Sequence, residues 1–177
     1  MFMYSNLHNE HSNTQINTIK NYNKSKMKRQ RIYVDTSVVG GYFDADHEEA
    51  TRLLFQQLED KEVVFIISEV LVGELKDAPE HVRSLLDDYD DDCIERVPLT
   101  DEARELADKY IVEGVVGVTS LNDCRHIAIA TIANADLLAS WNFKHIVNIR
   151  RIRGYNCVNI KNGYSTIEIR SPRDLVN

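Results

Sequence analysis

Three acidic residues stand where short apolar runs give way to polar chain. Oxygen-donor chemistry is what they could perform together: acid–base work, or the holding of a hard cation. Asp35 closes the β-prone run Ile32-Tyr33-Val34. Glu74 lies on the segment leaving the apolar run Val63 to Ile67, and Asp123 falls near the start of a strongly helical stretch opening at Leu121. Asn142 and His145 follow a further β-like run, Asp136 to Ser140. Each acid also has a purely structural reading. Asp35 before Thr36-Ser37 could cap a helix, and an acid in a first helical turn, as at Asp123, is favoured by the helix dipole. Glu74 borders a stripe of Val70, Leu71 and Leu75, a less comfortable place for an acid than an open helix face. On spacing alone both readings stay open.

The elements that would carry these residues can be read from periodicity and caps. Ile32 to Val34 reads as a strand, with Thr36 and Ser37 able to cap a helix after it. Glu48 to Leu58 has helical spacing of Ala50, Leu53, Leu54 and Leu58. Val63 to Ile67 is continuously apolar, as in a strand covered on both faces. Ser68 resembles an N-cap to a helix over Glu69 to Lys76, and Pro79 opens another through Leu86. The acidic run Asp87 to Asp92, broken only by Tyr89, reads as a solvated loop. Ile94 to Val97 is a third strand, Thr100 caps a helix through Glu113, and Gly114 and Gly117 interrupt the chain. Leu121 to Ala133 is helical, Asp136 to Ser140 a fourth strand, and Trp141 to Val147 a turn or short helix. Cys157 to Ile160 and Thr166 to Ile169 look β-like around the turn residues Asn162 and Gly163. Strands alternating with helices imply α/β layering around a mostly parallel sheet. Such sheets present ligands just outside the carboxyl ends of their strands, where the three acids and Asn142 would fall.

Totals narrow the class. At 177 residues the chain suits one domain. A formal charge of −7 argues against a nucleic-acid binder unless the acids are concentrated in a site or on a remote face. Residues 1–30 are set apart: rich in Asn, with Lys20, Lys24, Lys26, Lys28 and Arg29 against Glu10 alone. Few apolar residues are available there to offset ordering entropy, so a disordered basic tail is expected, and residues 31–177 form the domain. Met27 stands just before that domain, so start-site choice is a second account of the tail. Three cysteines with no C-x-x-C pair and no secretory leader point to buried thiols in the cytoplasm. No run of about 18 apolar residues exists to span a membrane.

The stretch Ile-Tyr-Val-Asp-Thr-Ser-Val-Val-Gly-Gly-Tyr-Phe over residues 32–43 resembles the opening motif of PIN-domain proteins. Ser68 followed six residues later by Glu74 resembles their second motif. Asn122-Asp123-Cys-Arg-His-Ile-Ala-Ile-Ala, then Ala135-Asp136-Leu-Leu-Ala-Ser-Trp-Asn142, resembles their third and fourth. The similarity runs in order over residues 31–148, and residues 150–177, a C-terminal extension of the same domain, look like the tail of a bacterial PIN subgroup. Among PIN proteins the likeness is to VapC-like bacterial ribonuclease toxins.

This resemblance implies a three-layer α/β/α sandwich with a mostly parallel central sheet. It implies Mg2+- or Mn2+-dependent cleavage of RNA, often as the toxin half of a pair with a small antitoxin, and homodimers are usual in that group. The family's acidic centre maps onto Asp35, Glu74 and Asp123 as metal-holding and catalytic residues. Asn142 stands where many members carry a fourth acid. An amide supplies a neutral oxygen in place of a charge, which points away from two metals and towards one firmly held ion.

The chemistry that such a site requires assigns further roles. Mg2+ keeps several waters and uses one or two carboxylates directly; Asp35 and Asp123 are the direct candidates, with Glu74 direct or through water. Asn142 could orient a water or a phosphate oxygen, and Thr36 and Ser140 could support the acids through hydroxyls. His126, one turn after Asp123 among apolar neighbours, reads as a packed histidine in preference to a general base; for His145 the two readings balance. Trp141 reads as packing before base stacking. Lys144, Arg150, Arg151 and Arg153 are the candidates for RNA phosphate contact, against an exposed face paired with the acidic loop. The competing functions are a catalytically silent PIN-like module that binds RNA or protein, and a phosphotransfer enzyme with a strand-end Asp nucleophile. The last is disfavoured because Ser37 occupies the position where its second Asp would be needed.

Overall fold

The computed structural model describes residues 28–176. The expected basic tail therefore lies, through residue 27, outside the described residues, and Gln30 already belongs to the first strand. Strands β1 (Gln30–Val34), β2 (Val63–Ser68), β3 (Ile94–Val97), β4 (Leu137–Ala139) and β5 (Ile169–Arg170) form one sheet in the order β3-β2-β1-β4-β5. All pairs are parallel; Ile32, for example, lies opposite Phe65 on one side and Leu137 on the other.

Parallel strands need crossovers, and the crossover helices cover both faces. Helices α1 (Thr36–Gly41), α2 (Glu48–Glu59), α3 (Glu69–Leu75), α4 (Glu80–Arg83), α5 (Asp101–Val112), α6 (Leu121–Ile132), α7 (Ile149–Lys161) and α8 (Pro172–Val176) are the α-helices of the described residues. Side chains alternate between faces along each strand. Ile32, Val34, Phe65, Ile67, Leu137 and Ala139 pack into one core with Leu54, Phe55 and Leu58 of α2 and Leu71 and Leu75 of α3. Tyr33, Ile66 and Leu138 point the other way, against Leu106 and Tyr110 of α5, Ile127 of α6 and Tyr155 of α7. The result is the expected three-layer α/β/α sandwich.

Several local expectations are corrected. Residues Cys157 to Ile160 are the last full turn of α7, and only Ile169 of the expected Thr166 to Ile169 strand is in β5. Asn148 caps α7, its side chain accepting from the backbone N–H groups of Arg150 and Arg151. Buried Tyr155, Val158 and Asn159 then face the core at helical spacing, so tertiary packing overrides the β-prone Val158 and Ile160. The helix expected from Pro79 to Leu86 splits into α4 and a 3-10 turn over Leu85–Asp88. That turn takes up the start of the acidic run, so the run is not wholly a loop. Trp141 to Val147 is a turn. The cap of α1 is Asp35 rather than Thr36 or Ser37.

Candidate active site

The sheet order reverses between β1 and β4, because successive crossovers run one way from β1 and the other way from β4. A crevice at the carboxyl ends of these two strands is where open α/β sheets hold ligands. Asp35 follows β1 and Ser140 follows β4, and Ser140 Oγ donates to Asp35 Oδ2 at 2.6 Å. The other carboxylate oxygen, Oδ1, accepts from Ser37 Oγ at 2.6 Å and from the Val38 N–H at 3.3 Å. Asp35 thus does cap α1, as its structural reading held, while its carboxylate stands at the switch point; at 4% exposure it is nearly withdrawn from water. Burial raises its pKa, and the charge of His126 and the three hydrogen bonds oppose that rise.

Glu74 reaches the same end of the sheet from α3, whose N-cap is Ser68 at the end of β2. Leu71 and Leu75 bury one stripe of the helix, which turns Glu74, half-buried, towards α1 and α6. Its Oε2 accepts from Thr36 Oγ1 and lies 3.2 Å from His126 Nε2. Its Oε1 accepts from Asn122 Nδ2 at 3.0 Å. Asn122 and His126 meet it together because residues four apart share a helix face. The hydrogen bond to His126 is the largest influence holding the Glu74 carboxyl below its ordinary pKa.

Asp123 is brought in by α6. Burial raises its pKa, His145 and His126 oppose that, and the Glu74 charge adds to it. Asn142 holds this acid: its Nδ2 donates to Asp123 Oδ1 at 2.8 Å, its backbone N–H donates to Ser140 Oγ at 2.9 Å, and its Oδ1 accepts from the His145 N–H at 3.0 Å.

These contacts close on themselves. Hydrogen bonds link Asp35 to Ser140, Ser140 to Asn142, and Asn142 to Asp123; the peptide bond leads to Asn122. From there hydrogen bonds run to Glu74 and on to Thr36, whose peptide bond returns to Asp35. One ring therefore contains all three acids and the amide. Among the described residues, no three His, Cys, Asp or Glu side chains are gathered into a ready metal cage. The donors of the ring are hard oxygens, and a cation that takes one or two carboxylates directly and reaches the others through water suits such a set.

The remaining candidates divide. His126 is 3% exposed, packed edge-on against Tyr33, so it is closed to substrate yet touches Glu74. His145 is partly exposed, and Arg151 Nη1 approaches its Nδ1 at 2.5 Å, with Ser120 Oγ at 3.1 Å. An arginine can only donate, so this contact calls on Nδ1 as the acceptor. Arg151 is thereby tied to His145 beside Asp123, whereas Lys144, Arg150 and Arg153 are exposed. Trp141 is buried, donating from Nε1 to Thr51 Oγ1 at 3.0 Å, which makes it a packing residue. Arg104 and Arg125 escaped the sequence reading. They line a cleft of 470 Å3 that also borders Glu74 and Asn122, and Arg125 donates to Asn122 Oδ1 at 3.0 Å. Its position three residues after Asn122 on one helix was the signal available.

No protein-family model matches the sequence, and no curated protein matches it. Solved structures do share its fold. VapBC2 from Rickettsia felis, determined bound to a DNA fragment from its promoter, superposes with a TM-score of 0.52 at 16% identity, over 80% of this chain and 98% of that one. FitAcB from Neisseria gonorrhoeae gives a TM-score of 0.50 at 13% identity, again over 80% and 98%. The fold is that of the PIN domain, as the four sequence motifs imply.

Proposed function

We propose that this chain is a divalent-metal-dependent ribonuclease, acting as the toxin of a toxin–antitoxin pair. The observation that carries the reading is the ring that sets Asp35, Glu74 and Asp123 around the switch-point crevice with Asn142 in the fourth place. Its support from relatives is a shared fold with VapBC2 and FitAcB.

In this reading Asp35 and Asp123 hold Mg2+ or Mn2+ directly, and Glu74 does so directly or through water. When bound, the ion supplies charge neutralisation at phosphorus oxygens and a more acidic water. The chain's own groups do the positioning. Ser37 and Ser140 fix both oxygens of Asp35, so this carboxylate meets its ligand without reorganising. Thr36 and Asn122 do the same for Glu74. Asn142 keeps Asp123 oriented and offers no charge to repel a phosphodiester. His145, held through Nδ1 by Arg151 and Ser120, can present Nε2 to a phosphate oxygen. Lys144, Arg150 and Arg153, with Arg104 and Arg125 at the adjoining cleft, supply the positive charge that an RNA backbone needs near an acidic centre. A small antitoxin covering the crevice, and pairing of two copies of this chain, belong to the same reading.

The test is cleavage of single-stranded RNA by the full chain with Mg2+ or Mn2+. Cleavage should stop with EDTA and with Asp35→Asn. Cleavage that survives Asp35→Asn would remove Asp35 from the chemistry. Metal binding without cleavage of RNA would instead describe a silent RNA- or protein-binding module.

A further inference from the structure

Behind the ring lies a second, fully buried chain of polar groups. Tyr33, Ser68 and His126 are 0%, 1% and 3% exposed. The Tyr33 hydroxyl donates to Ser68 Oγ at 2.7 Å and meets His126 Nδ1 at 2.7 Å. The other ring nitrogen, Nε2, meets Glu74 Oε2 at 3.2 Å. Ser68 Oγ in turn accepts from the Leu71 N–H at 3.3 Å, which caps α3. The chain therefore starts at the N-cap of α3, passes through β1 and α6, and returns to the same helix at Glu74.

Each link has a physical reason to persist. Tyr33 is on the face of β1 that points towards α5 to α7, so its hydroxyl would be orphaned in an apolar core without Ser68 and His126. A buried polar group left without a partner is costly, which makes a fully satisfied network a rigid one. Among the described residues no buried side-chain polar atom lacks a partner. Helix α3 is only seven residues long, so contacts from neighbouring elements weigh heavily in fixing its last turn, where Glu74 lies.

We infer that Tyr33 and His126 are positioning residues for Glu74, holding that acid at the crevice by bracing α3 at both ends, although neither can touch a substrate. This rests on the nuclease reading for its consequence in catalysis, but the bracing itself does not. In sequence terms it gives a task to the Tyr of Ile-Tyr-Val-Asp and to the His three residues after Asp123, two positions that otherwise read as core.

The experiment uses the full chain and has two arms. In the first, cleavage of single-stranded RNA with Mn2+ is measured for Tyr33→Phe, His126→Asn and His126→Gln. Asn places an amide near the Nδ1 position and Gln places one near Nε2, so Gln keeps the contact to Glu74. Tyr33→Phe should lower kcat about tenfold or more, the usual scale for groups that orient ligands, with KM for RNA within about twofold. His126→Gln should retain more kcat than His126→Asn. In the second arm, amide hydrogen exchange is followed without metal or RNA, and exchange over residues 71–75 should quicken in Tyr33→Phe and His126→Asn. Unchanged exchange there overturns the inference whatever the cleavage data. Quickened exchange with unchanged kcat overturns the positioning role. Quickened exchange in a chain whose wild type cleaves no RNA leaves the bracing in place and removes the nuclease reading.

Discussion

Asn142 holds Asp123 by a side-chain amide, Nδ2 to Oδ1 at 2.8 Å, at the place where many members of the resembled family carry a fourth acid. The pairing is attractive without a metal, whereas two carboxylates there would repel. Asn142→Ala should lower RNA cleavage by about 10- to 100-fold, as losses of orienting partners do. Asn142→Asp should raise the number of Mn2+ ions bound per chain, read by titration calorimetry. Unchanged stoichiometry and affinity in Asn142→Asp would remove this side chain from the metal's surroundings.

Asp35 is expected to cost the fold stability while serving the site. Its folded pKa is raised by burial above the ordinary 3.8. The folded state therefore binds more protons than the unfolded one between those two values. Stability from this group is full below the unfolded pKa and falls as pH climbs through the folded one. Asp35→Asn removes that decline, so the metal-free variant should melt at or above the wild-type temperature at neutral pH. The difference should vanish in acid below the unfolded pKa. A variant that melts well below wild type at neutral pH would contradict this account.

Gly41 is where α1 meets Trp141. A Cβ built there would come within 2.7 Å of Trp141 Nε1 and 3.1 Å of Thr51 Oγ1, and neither is free to withdraw because they hydrogen-bond to each other. Gly41→Ala should cost about 1–3 kcal/mol, the scale of overpacking, in chemical denaturation. The Trp141 backbone N–H also donates to Ser37 Oγ, which donates to Asp35, so cleavage should drop by more than the unfolded fraction explains. The single tryptophan reports the displacement by fluorescence.

The thiols should differ sharply in reactivity. Burial pushes Cys124 up to about 12 and raises Cys93 as well, and both are buried, whereas Cys157 is exposed on α7. The thiolate is the reacting form, so brief iodoacetamide treatment of native protein should label Cys157 alone, by peptide mass. Labelling of Cys124 without denaturant would show that α6 opens.

The sheet and the strand-end position of Asp35 were legible because both are local signals. Val63 to Ile67 is apolar on both faces since it is flanked by strands and covered twice, and Asp35 stands at the point where β1 ends. The C-terminal third was less legible. The stretch from Cys157 to Ile160 looks β-prone, but Asn148 supplies a cap nine residues upstream of Cys157, and a buried Asn159 finds Tyr110 Oη and Thr131 Oγ1 as partners, which no local pattern announces. His126 shows the same limit in the site. Its apolar neighbours correctly signal a packed histidine, yet its contact with Glu74 depends on α3 and α6 being adjacent, a tertiary fact. Arg151 read as an RNA contact by charge alone, and its engagement with His145 arises from the turn at Trp141 to Val147.

The loop of contacts through Asp35, Ser140, Asn142, Asp123, Asn122, Glu74 and Thr36 has the property of any closed circuit: two routes join every pair of its members. Cutting one route leaves each acid still joined to the others by the second, so loss of a single supporting group misaligns the centre without dismantling it. Two cuts on opposite arms, such as Thr36→Val with Ser140→Ala, leave Asp35 joined through the loop to neither Glu74 nor Asp123. Damage to this centre should therefore be strongly synergistic across arms, and which arm each lost contact lies on matters more than how many are lost.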